Sequence, residues 1–361
     1  MTDDPADDRP AVPEVSWFSA LCDDDYRSLG VPDPALRSSF AHCADIVAAA
    51  ERGGFDNVLL PSGYELGIDP VAFAGGVAAL TERIKLLVAV RCGEMWPPQL
   101  ARQLATLDEM LGSIGGERRL TINIISSDLP GAPLDGPARY ERTREVMSIL
   151  RTLLSGRPVE HHGEHYDLVL DAPRIATGPP PPFYFGGISP PARDVAASHA
   201  DVFLMWPDTM PAVAAIVDDL RSRAAAYGRT LRFGYRVHVV VRETEELARR
   251  AAFELVSKLE PADGEAIRRR SLDSGSVGVA RQAELRGAAD DDGFVEDHLW
   301  TGIGRARSGC GAAIVGDPDQ VVAKLRAYRA LGIDSFILSG YPHREECDLV
   351  AEHVLPALRS S

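Results

Sequence analysis

The segment KLLVAVR at positions 85–91 decides the fold. Five apolar residues follow one another between Lys85 and Arg91, with no polar residue among them. A strand that packs against helices on both faces has such a sequence, whereas a strand with one face in water alternates apolar and polar residues. The segment FILSG at 336–340 has the same character. Both segments therefore predict parallel strands inside an α/β protein.

Short segments of this kind alternate with longer segments of helical period along the chain. Strands are predicted at 14–21, 57–62, 85–91, 120–126, 183–187, 201–206, 232–241 and 335–340. Helices are predicted at 38–52, 70–81, 98–111, 139–155, 190–199, 210–227, 244–258, 319–331 and 344–358. Eight strands connected by helices are the pattern of a (β/α)8, or TIM, barrel.

A doubly wound open sheet is the alternative α/β fold. No GxGxxG motif follows the first predicted strand, and each strand has its own helix, which favours the barrel. The prediction is a disordered acidic tail at 1–13, followed by a single barrel domain at 14–361.

Two stretches exceed the β/α repeat and are predicted to be insertions. Residues 156–182 contain GRPVEHHGEHYDLVL and TGPPPP, which predict a β-hairpin after strand 4 and a stiff proline connector. Its histidines lack a supporting carboxylate pattern, so a solvated turn is favoured and no metal site is predicted. Residues 260–316, between strands 7 and 8, are charged and rich in glycine and serine. They predict a mobile active-site lid or a disordered insertion.

The composition argues against several classes of function. The chain has 361 residues and a net charge of −15, from 38 Lys and Arg against 53 Asp and Glu. An acidic surface repels phosphate backbones, which argues against nucleic-acid binding. No window holds about 20 apolar residues, so no membrane span is predicted. The acidic start MTDDPADDRP is unlike a secretory signal, and a cytoplasmic location is expected.

Function in a parallel barrel gathers at the carboxyl ends of the strands. This rule selects candidate residues before any family is considered. They are Cys22, Ser62, Arg91, Cys92, Asn123, Ser126, Gly186, Gly187, Ser189, Trp206, Arg236, His238, Tyr341 and His343.

The segment PFYFGGISPPARDVAASHA at 182–200 predicts an anion site. A strand ends in Gly186 and Gly187, and Ser189 then begins a helix with proline in its first turn. Glycine lets the backbone approach a ligand closely, and a helix N-terminus presents free N–H groups. A bound phosphate would fit this segment. An ordinary βα turn with a serine cap is the alternative.

The seventh strand, RFGYRVHVVV, places Arg236 and His238 on one face and Val237 and Val239 on the other. Burying an arginine and a histidine on a central strand is costly unless they are paired or functional. Arg236 could hold an anion, and His238 could exchange a proton near neutral pH. A satisfied structural network is the alternative.

Tyr341 and His343 follow the eighth strand, where Pro342 fixes the turn. A phenol and an imidazole beside a barrel mouth are plausible acid–base groups. Their alternative role is to cap the last helix.

Several long motifs resemble those of a known family. They are SWF, GFDNVLLPSG, LARQLATLDEML, TINIISSDLPG, YFGGIS, RFGYRVHVVVRET, LWTGIGRARSGCGAAIVGDP and LGIDSFILSGYPHREE. Together they extend from residue 14 to residue 358 and resemble the bacterial luciferase-like flavin monooxygenases, most closely the FMNH2-dependent alkanesulfonate monooxygenases.

The resemblance implies a (β/α)8 barrel with an insertion that closes over the site. It implies FMN as cofactor, used as FMNH2 and delivered by a separate NAD(P)H-dependent flavin reductase. Oxygen would form a peroxyflavin that oxygenates a small organic substrate; in alkanesulfonate enzymes this gives an aldehyde and sulfite. A homodimer or homotetramer is also implied.

The resemblance also assigns roles to individual residues. The catalytic set would be Arg236, His238, Arg307, Tyr341 and His343. The flavin phosphate would lie against Gly187 and Ser189 near Tyr140, with Asn123 facing the isoalloxazine edge. With the neighbouring residues of the barrel mouth, the predicted cofactor set is Ser62, Asn123, Tyr140, Gly186, Gly187, Ser189 and Trp206.

The chain departs from the sulfonate enzymes on the substrate side. Leu66 or its neighbours stand where those enzymes have a cysteine, and Cys22 stands where they have a histidine. The loop RCGEMWPP also differs, so the predicted substrate pocket is Cys22, Leu66, Cys92, Glu94 and Trp96. We therefore expect that the flavin-dependent oxygenation is retained and that the substrate is an organosulfur compound or another small molecule. An F420-dependent oxidoreductase and a non-catalytic flavin-binding protein are the alternatives.

Overall fold

The computed structural model describes residues 12–63, 67–129, 131–132, 134–174, 178–269 and 276–360. Within these residues the chain forms a closed barrel of parallel strands surrounded by helices. The predicted acidic tail lies almost entirely outside the described residues and stays a prediction. None of the described helices has the length and apolar character that crossing a membrane requires.

The elements are numbered in chain order. The strands are β1 (Glu14–Phe18), β2 (Asn57–Leu60), β3 (Lys85–Arg91), β4 (Leu120–Ile125), β5 (Val159–His162), β6 (Asp167–Leu170), β7 (Phe183–Phe185), β8 (Val202–Met205), β9 (Arg232–Val241), β10 (Phe294–Glu296), β11 (Leu299–Trp300), β12 (Ala313–Gly316) and β13 (Ser335–Ser339). The α-helices are α1 (Phe40–Arg52), α2 (Pro70–Ala78), α3 (Pro97–Ser113), α4 (Gly136–Leu154), α5 (Pro190–His199), α6 (Met210–Ala226), α7 (Glu245–Val256), α8 (Pro261–Arg269), α9 (Val277–Gly287), α10 (Pro318–Ala330), α11 (His343–His353) and α12 (Leu355–Arg359).

Eight strands close the barrel, in the order β1-β2-β3-β4-β7-β8-β9-β13. The β8–β9 and β13–β1 pairings complete the ring, and every pairing within it is parallel. The predicted barrel is therefore confirmed, with all eight strands at the expected places. On β3 every residue from Leu86 to Arg91 is buried, as its continuous apolar sequence indicates.

The predicted hairpin after the fourth barrel strand is confirmed. Strands β5 and β6 pair antiparallel, with Val159 opposite Leu170. Glu145 of α4 holds the hairpin tip, because its carboxylate accepts the backbone N–H groups of residues 164, 165 and 166.

The insertion at 260–316, predicted to be a mobile active-site lid or a disordered insertion, has regular structure in its described residues 260–269 and 276–316. It contains helices α8 and α9 and the strands β10, β11 and β12. Strand β9 has ten residues, and its last part extends past the barrel to pair in parallel with β12, Ala313 lying opposite His238. The regular structure was missed because these strands are only two to four residues long and follow polar, glycine-rich sequence.

The last predicted helix, 344–358, is divided into α11 and α12 at Val354. Pro356 explains the break, because proline lacks an N–H group and its ring collides with the preceding helical turn.

Arg119, which directly precedes β4, is buried without a carboxylate partner in the described interior. Its guanidinium donates to the carbonyl oxygens of Thr81, Ile84 and Leu111 and to the Thr81 hydroxyl. These bonds connect the chain before β4 to the ends of α2 and α3, so Arg119 helps to position a barrel strand.

We expect Arg119→Ala to lower the free energy of unfolding by about 3 kcal/mol, because several buried acceptors lose their donor. Urea denaturation measures the change. The control is Arg102→Ala on the exposed side of α3, where the expected change is below ~0.5 kcal/mol. Equal stability of the two variants would contradict this role for Arg119.

Candidate active site

A cavity of about 760 Å³ opens at the carboxyl ends of the barrel strands. Its barrel side is formed by residues such as Phe18 of β1, Asn123 of β4 and Leu204 of β8. The opposite wall comes from the insertion, through the start of α9 and the segment 306–310. The location agrees with the rule that parallel barrels bind ligands at this face.

Twelve of the residues predicted to form the site line this cavity. They are Cys22, Ser62, Arg91, Asn123, Ser126, Tyr140, Gly186, Gly187, Ser189, Trp206, Arg236 and Arg307. His238, Tyr341 and His343 are buried outside this lining. Tyr341 contacts Arg307 and His343 contacts Phe18, which both line the cavity, and His238 stacks on Tyr341. Leu66 lies outside the described residues.

The cradle formed by Gly186, Gly187 and Ser189 is open to an anion. Gly187 has φ of 144°, and a Cβ there would lie 2.7 Å from the Cβ of Ala192, so no other residue fits without strain. The Ser189 side chain does not cap α5; its hydroxyl contacts the Tyr140 hydroxyl at 3.2 Å instead. Because Pro190 and Pro191 have no N–H, the first N–H group in α5 is that of Ala192.

Arg236 is a buried cation with an unsatisfied edge. Its Nη1 donates to the Ser339 hydroxyl at 2.7 Å, its guanidinium lies 4.3 Å from the centre of the Phe18 ring, and Nη2 has no partner. The other cavity-lining arginines, Arg91, Arg139, Arg281 and Arg307, each have a carboxylate partner. Among the described residues, Arg236 alone of this set has none within 4.0 Å. It is the natural site for an anionic ligand group.

His238 shares Ser339 with Arg236, because its Nδ1 lies 2.7 Å from the same hydroxyl. Burial, followed by the charges of Arg236 and Arg307, holds the pKa of His238 well below its ordinary value. The imidazole is therefore neutral. Since Arg236 can only donate, the Ser339 proton goes to Nδ1 of His238, and Nε2 carries the ring hydrogen as a donor without a partner.

Arg307 connects the insertion to the end of β13 and to the loop after β1. Its Nη1 donates to Asp24 and to the Tyr341 hydroxyl, both at 2.6 Å. Burial raises the pKa of Tyr341 above its ordinary value, so the phenol keeps its proton. The Tyr341 ring stacks on the His238 ring with centroids 5.2 Å apart, and the Tyr341–Pro342 peptide bond is cis.

His343 is held by Asp25, a residue that the sequence analysis did not select. Asp25 accepts both the backbone N–H and the ring Nδ1 of His343 at 2.9 Å. Its other oxygen contacts Nε2 of His42 at 2.9 Å. Burial opposes ionisation, but the His343 contacts lower the pKa of Asp25 below its ordinary range.

Sequence reasoning missed three contributors to the site: Asp24, Asp25 and Ser339. The two acids stand in the run CDDDY at 22–26, directly after the first strand. A run of acids is usually a solvated loop, yet Asp25 is fully buried in its side chain. The position at a strand's carboxyl end is the signal that could have identified them.

Three residues predicted for the substrate pocket do not line the cavity. Cys92 is buried behind it, and burial raises the pKa of its thiol to about 12. Glu94 contacts Arg91 at 3.0 Å, and Trp96 is half exposed, with its ring 5.6 Å from the Tyr166 ring at the hairpin. The loop that carries them leads directly into α3, which begins at Pro97, and their role in the substrate pocket stays a prediction. Cys22 does line the cavity.

Two of the three hairpin histidines have carboxylate partners nearby. His161 contacts Glu145 at 3.0 Å, and His162 contacts Asp167 at 2.7 Å on the surface. Across the described ranges, no group of three or more His, Cys, Asp or Glu side chains is arranged to hold a metal ion.

The fold and the site define a luciferase-like monooxygenase. The family model described as "Luciferase-like monooxygenase" matches residues 16–335, and the chain belongs to this family. It is 63% identical to the sulfoquinovose monooxygenase of Novosphingobium aromaticivorans, over 95% of this chain and 96% of that protein. It is 51% identical to the sulfoquinovose monooxygenase of Agrobacterium fabrum, over 96% of this chain and 90% of that protein.

Solved structures of low sequence identity share the fold. The EDTA monooxygenase of Chelativorans sp. BNC1 superposes with a TM-score of 0.78 at 17% identity, covering 97% of this chain and 94% of that chain. A long-chain alkane monooxygenase superposes with a TM-score of 0.76 at 17% identity, covering 97% and 91%.

We expect the neutral, buried His238 to make stability depend on pH. An unfolded histidine gains a proton below about pH 6.5, whereas buried His238 does not, so stability falls as the pH decreases from 7 to 5. His238→Gln removes this contribution. The wild type should lose on the order of 1–2 kcal/mol more unfolding free energy over that range than the variant does.

Urea denaturation at both pH values gives the difference, and His353→Gln at the end of α11 is the matched control. Parallel losses in the wild type and in His238→Gln would show that His238 is not kept neutral.

Proposed function

We propose that the protein is an FMNH2-dependent, two-component monooxygenase that acts on sulfoquinovose or a closely related sugar sulfonate. A separate NAD(P)H-dependent flavin reductase would supply the reduced FMN. The support is the likeness to two sulfoquinovose monooxygenases over nearly the full length of each chain. Oxygenation at the carbon that bears the sulfonate would release sulfite and leave an aldehyde.

The unsatisfied edge of Arg236 carries this proposal. A guanidinium removed from water is costly unless an anion accepts its hydrogen bonds, and no carboxylate among the described residues does so. A sulfonate presents three oxygens on a fixed negative charge, which suits the free Nη2 of Arg236. Arg307 adds a second cation at the same cavity.

The cradle at the start of α5 fits the phosphate of FMN. Gly187 leaves room for it, and the hydroxyls of Ser189 and Tyr140 provide donors together with the N–H of Ala192, the first in α5. Asn123 lines the same cavity, where it would face the flavin ring. When bound, reduced FMN supplies the activation of dioxygen.

The chain's own residues bind the substrate, hold protons and exclude water. His238 presents Nε2–H as a neutral donor, and Tyr341 retains its phenolic proton beside it. Reactive oxygen chemistry needs a site closed to water, and the wall from α9 and 306–310 provides this enclosure. Asp24 and Tyr341 anchor that wall through Arg307.

Sulfite release tests the proposed function. Purified protein with FMN, NADH and a flavin reductase should release sulfite from sulfoquinovose at least ~10-fold faster than from unsubstituted alkanesulfonates. Arg236→Met should lose most of this rate because the anion has no partner. Sulfite from neither substrate, with the flavin demonstrably reduced, would overturn the proposal. Activity only with the deazaflavin F420 would replace it with hydride transfer.

We expect Gly187→Ala to weaken FMN binding at least ~10-fold, because the added Cβ crowds Ala192 and closes the cradle. Flavin fluorescence quenching measures the Kd. Gly116→Ala is the matched control: Gly116 also has positive φ, at 77°, but lies away from the cavity with open space around its Cβ position. Unchanged FMN affinity in Gly187→Ala would place the phosphate elsewhere.

A further inference from the structure

The loop after β1 holds a buried carboxylate against a buried imidazole. Oδ1 of Asp25 accepts Nδ1 of His343 at 2.9 Å, together with the backbone N–H groups of His343 and Tyr26 at 2.9 and 3.0 Å. Oδ2 meets Nε2 of His42 at 2.9 Å. Both partner side chains of the Asp25–His343 pair are inaccessible to solvent.

These contacts determine the tautomer of His343. An ionised carboxylate can only accept hydrogen bonds, and the pKa of Asp25 is lowered, so Nδ1 of His343 must carry the hydrogen. The lone pair of the neutral ring is then on Nε2, which has no partner in the described structure. The ring lies between Phe18 and Tyr341, at centroid distances of 5.3 and 5.0 Å. Phe18 lines the cavity and carries Arg236 on its face.

We propose that Asp25 is a positioning residue that fixes His343 in the Nδ1–H tautomer and stabilises its protonated form, leaving Nε2 as the proton acceptor of the active site. This role extends the monooxygenase function proposed above, to which it adds the group that takes up a proton. His238 and Tyr341 present hydrogens to the site, and His343 presents a lone pair.

The same contacts could be read as a proton path from His343 through Asp25 to His42, which is partly exposed on α1. Transfer along that path would require protonation of Asp25. Its lowered pKa makes this unfavourable. The carboxylate is therefore suited to hold the ring and to balance its charge rather than to carry the proton.

A purely structural role is the other reading, because Asp25 also accepts the first N–H group of α11. Asp25→Asn separates the two. Its amide oxygen can keep the bonds to both backbone N–H groups and to Nδ1, while the negative charge is lost. The variant therefore preserves the loop and the tautomer and removes the charge, while the oxygen that faces His42 becomes an amide donor.

The first experiment uses ¹⁵N-edited NMR of the histidine rings in the full chain, with His343 assigned from the spectrum of His343→Gln. In the wild type we expect Nδ1 protonated and Nε2 unprotonated at neutral pH. In Asp25→Asn we expect the midpoint of the His343 ring titration to move down by at least one pH unit. An Nε2–H tautomer in the wild type, or an unmoved midpoint in the variant, would overturn the proposal. Neither readout depends on flavin or substrate.

The second experiment measures turnover with reduced flavin. We expect Asp25→Asn to lower kcat at least ~10-fold with FMN affinity unchanged, and His42→Gln, which keeps an N–H donor for Oδ2, to remain within ~2-fold of wild type. An equal loss of kcat in His42→Gln would establish the proton path and overturn the positioning role. If Asp25→Asn kept the wild-type kcat, the role of Asp25 would be structural only.

Discussion

The parallel pairing of β9 with β13 is the constraint on which the site depends. Its register sets Ile337 opposite Arg236 and Ser339 opposite His238. The Ser339 hydroxyl can therefore accept from Arg236 and donate to His238 across neighbouring strands. Because side chains alternate along a strand, a slip by one residue would turn these groups toward the surrounding helices. The ladder that closes the barrel thus also orders the reactive groups.

Charge is distributed unevenly between surface and cavity. The chain carries a net charge of −15, yet the cavity walls hold five arginines, and carboxylates neutralise four of them. Asp24 holds Arg307 in place, whereas Arg236 is oriented by the neutral Ser339 hydroxyl and the Phe18 ring. Because these partners are neutral, the charge of Arg236 remains available to a ligand. A carboxylate partner would have neutralised that charge.

The barrel and the strand-borne residues were predictable because their patterns are local. Continuous apolar sequence identifies β3, and the period of two along β9 places Arg236 and His238 together on the inner face. The partners of these residues were not predictable, since contacts such as Asp25 with His343 join positions 318 residues apart. A run of three acids after β1 carries no local sign that one of them is buried.

The insertion and the loop after β3 show a second limit. Strand β12 forms because β9 extends past the barrel and offers it a parallel edge, a cause that lies outside the insertion's own polar sequence. In the other loop, Arg91 lines the cavity, whereas Glu94, which contacts Arg91, does not, although each stands at a strand's carboxyl end. Position along the chain identifies the loops that lie near a site. The contacts that each side chain makes within its loop then decide whether that side chain lines the site.

The positive charges of the nearby arginines also explain why His238 is neutral. Arg236 lies two residues away on the same face, and Arg307 reaches the same cavity, so a proton on His238 would add a third cation in a site removed from water. Keeping the imidazole neutral separates two tasks. The arginines attract the anion, and His238 donates a hydrogen bond without competing for it. His343, by contrast, contacts the carboxylate of Asp25 rather than an arginine.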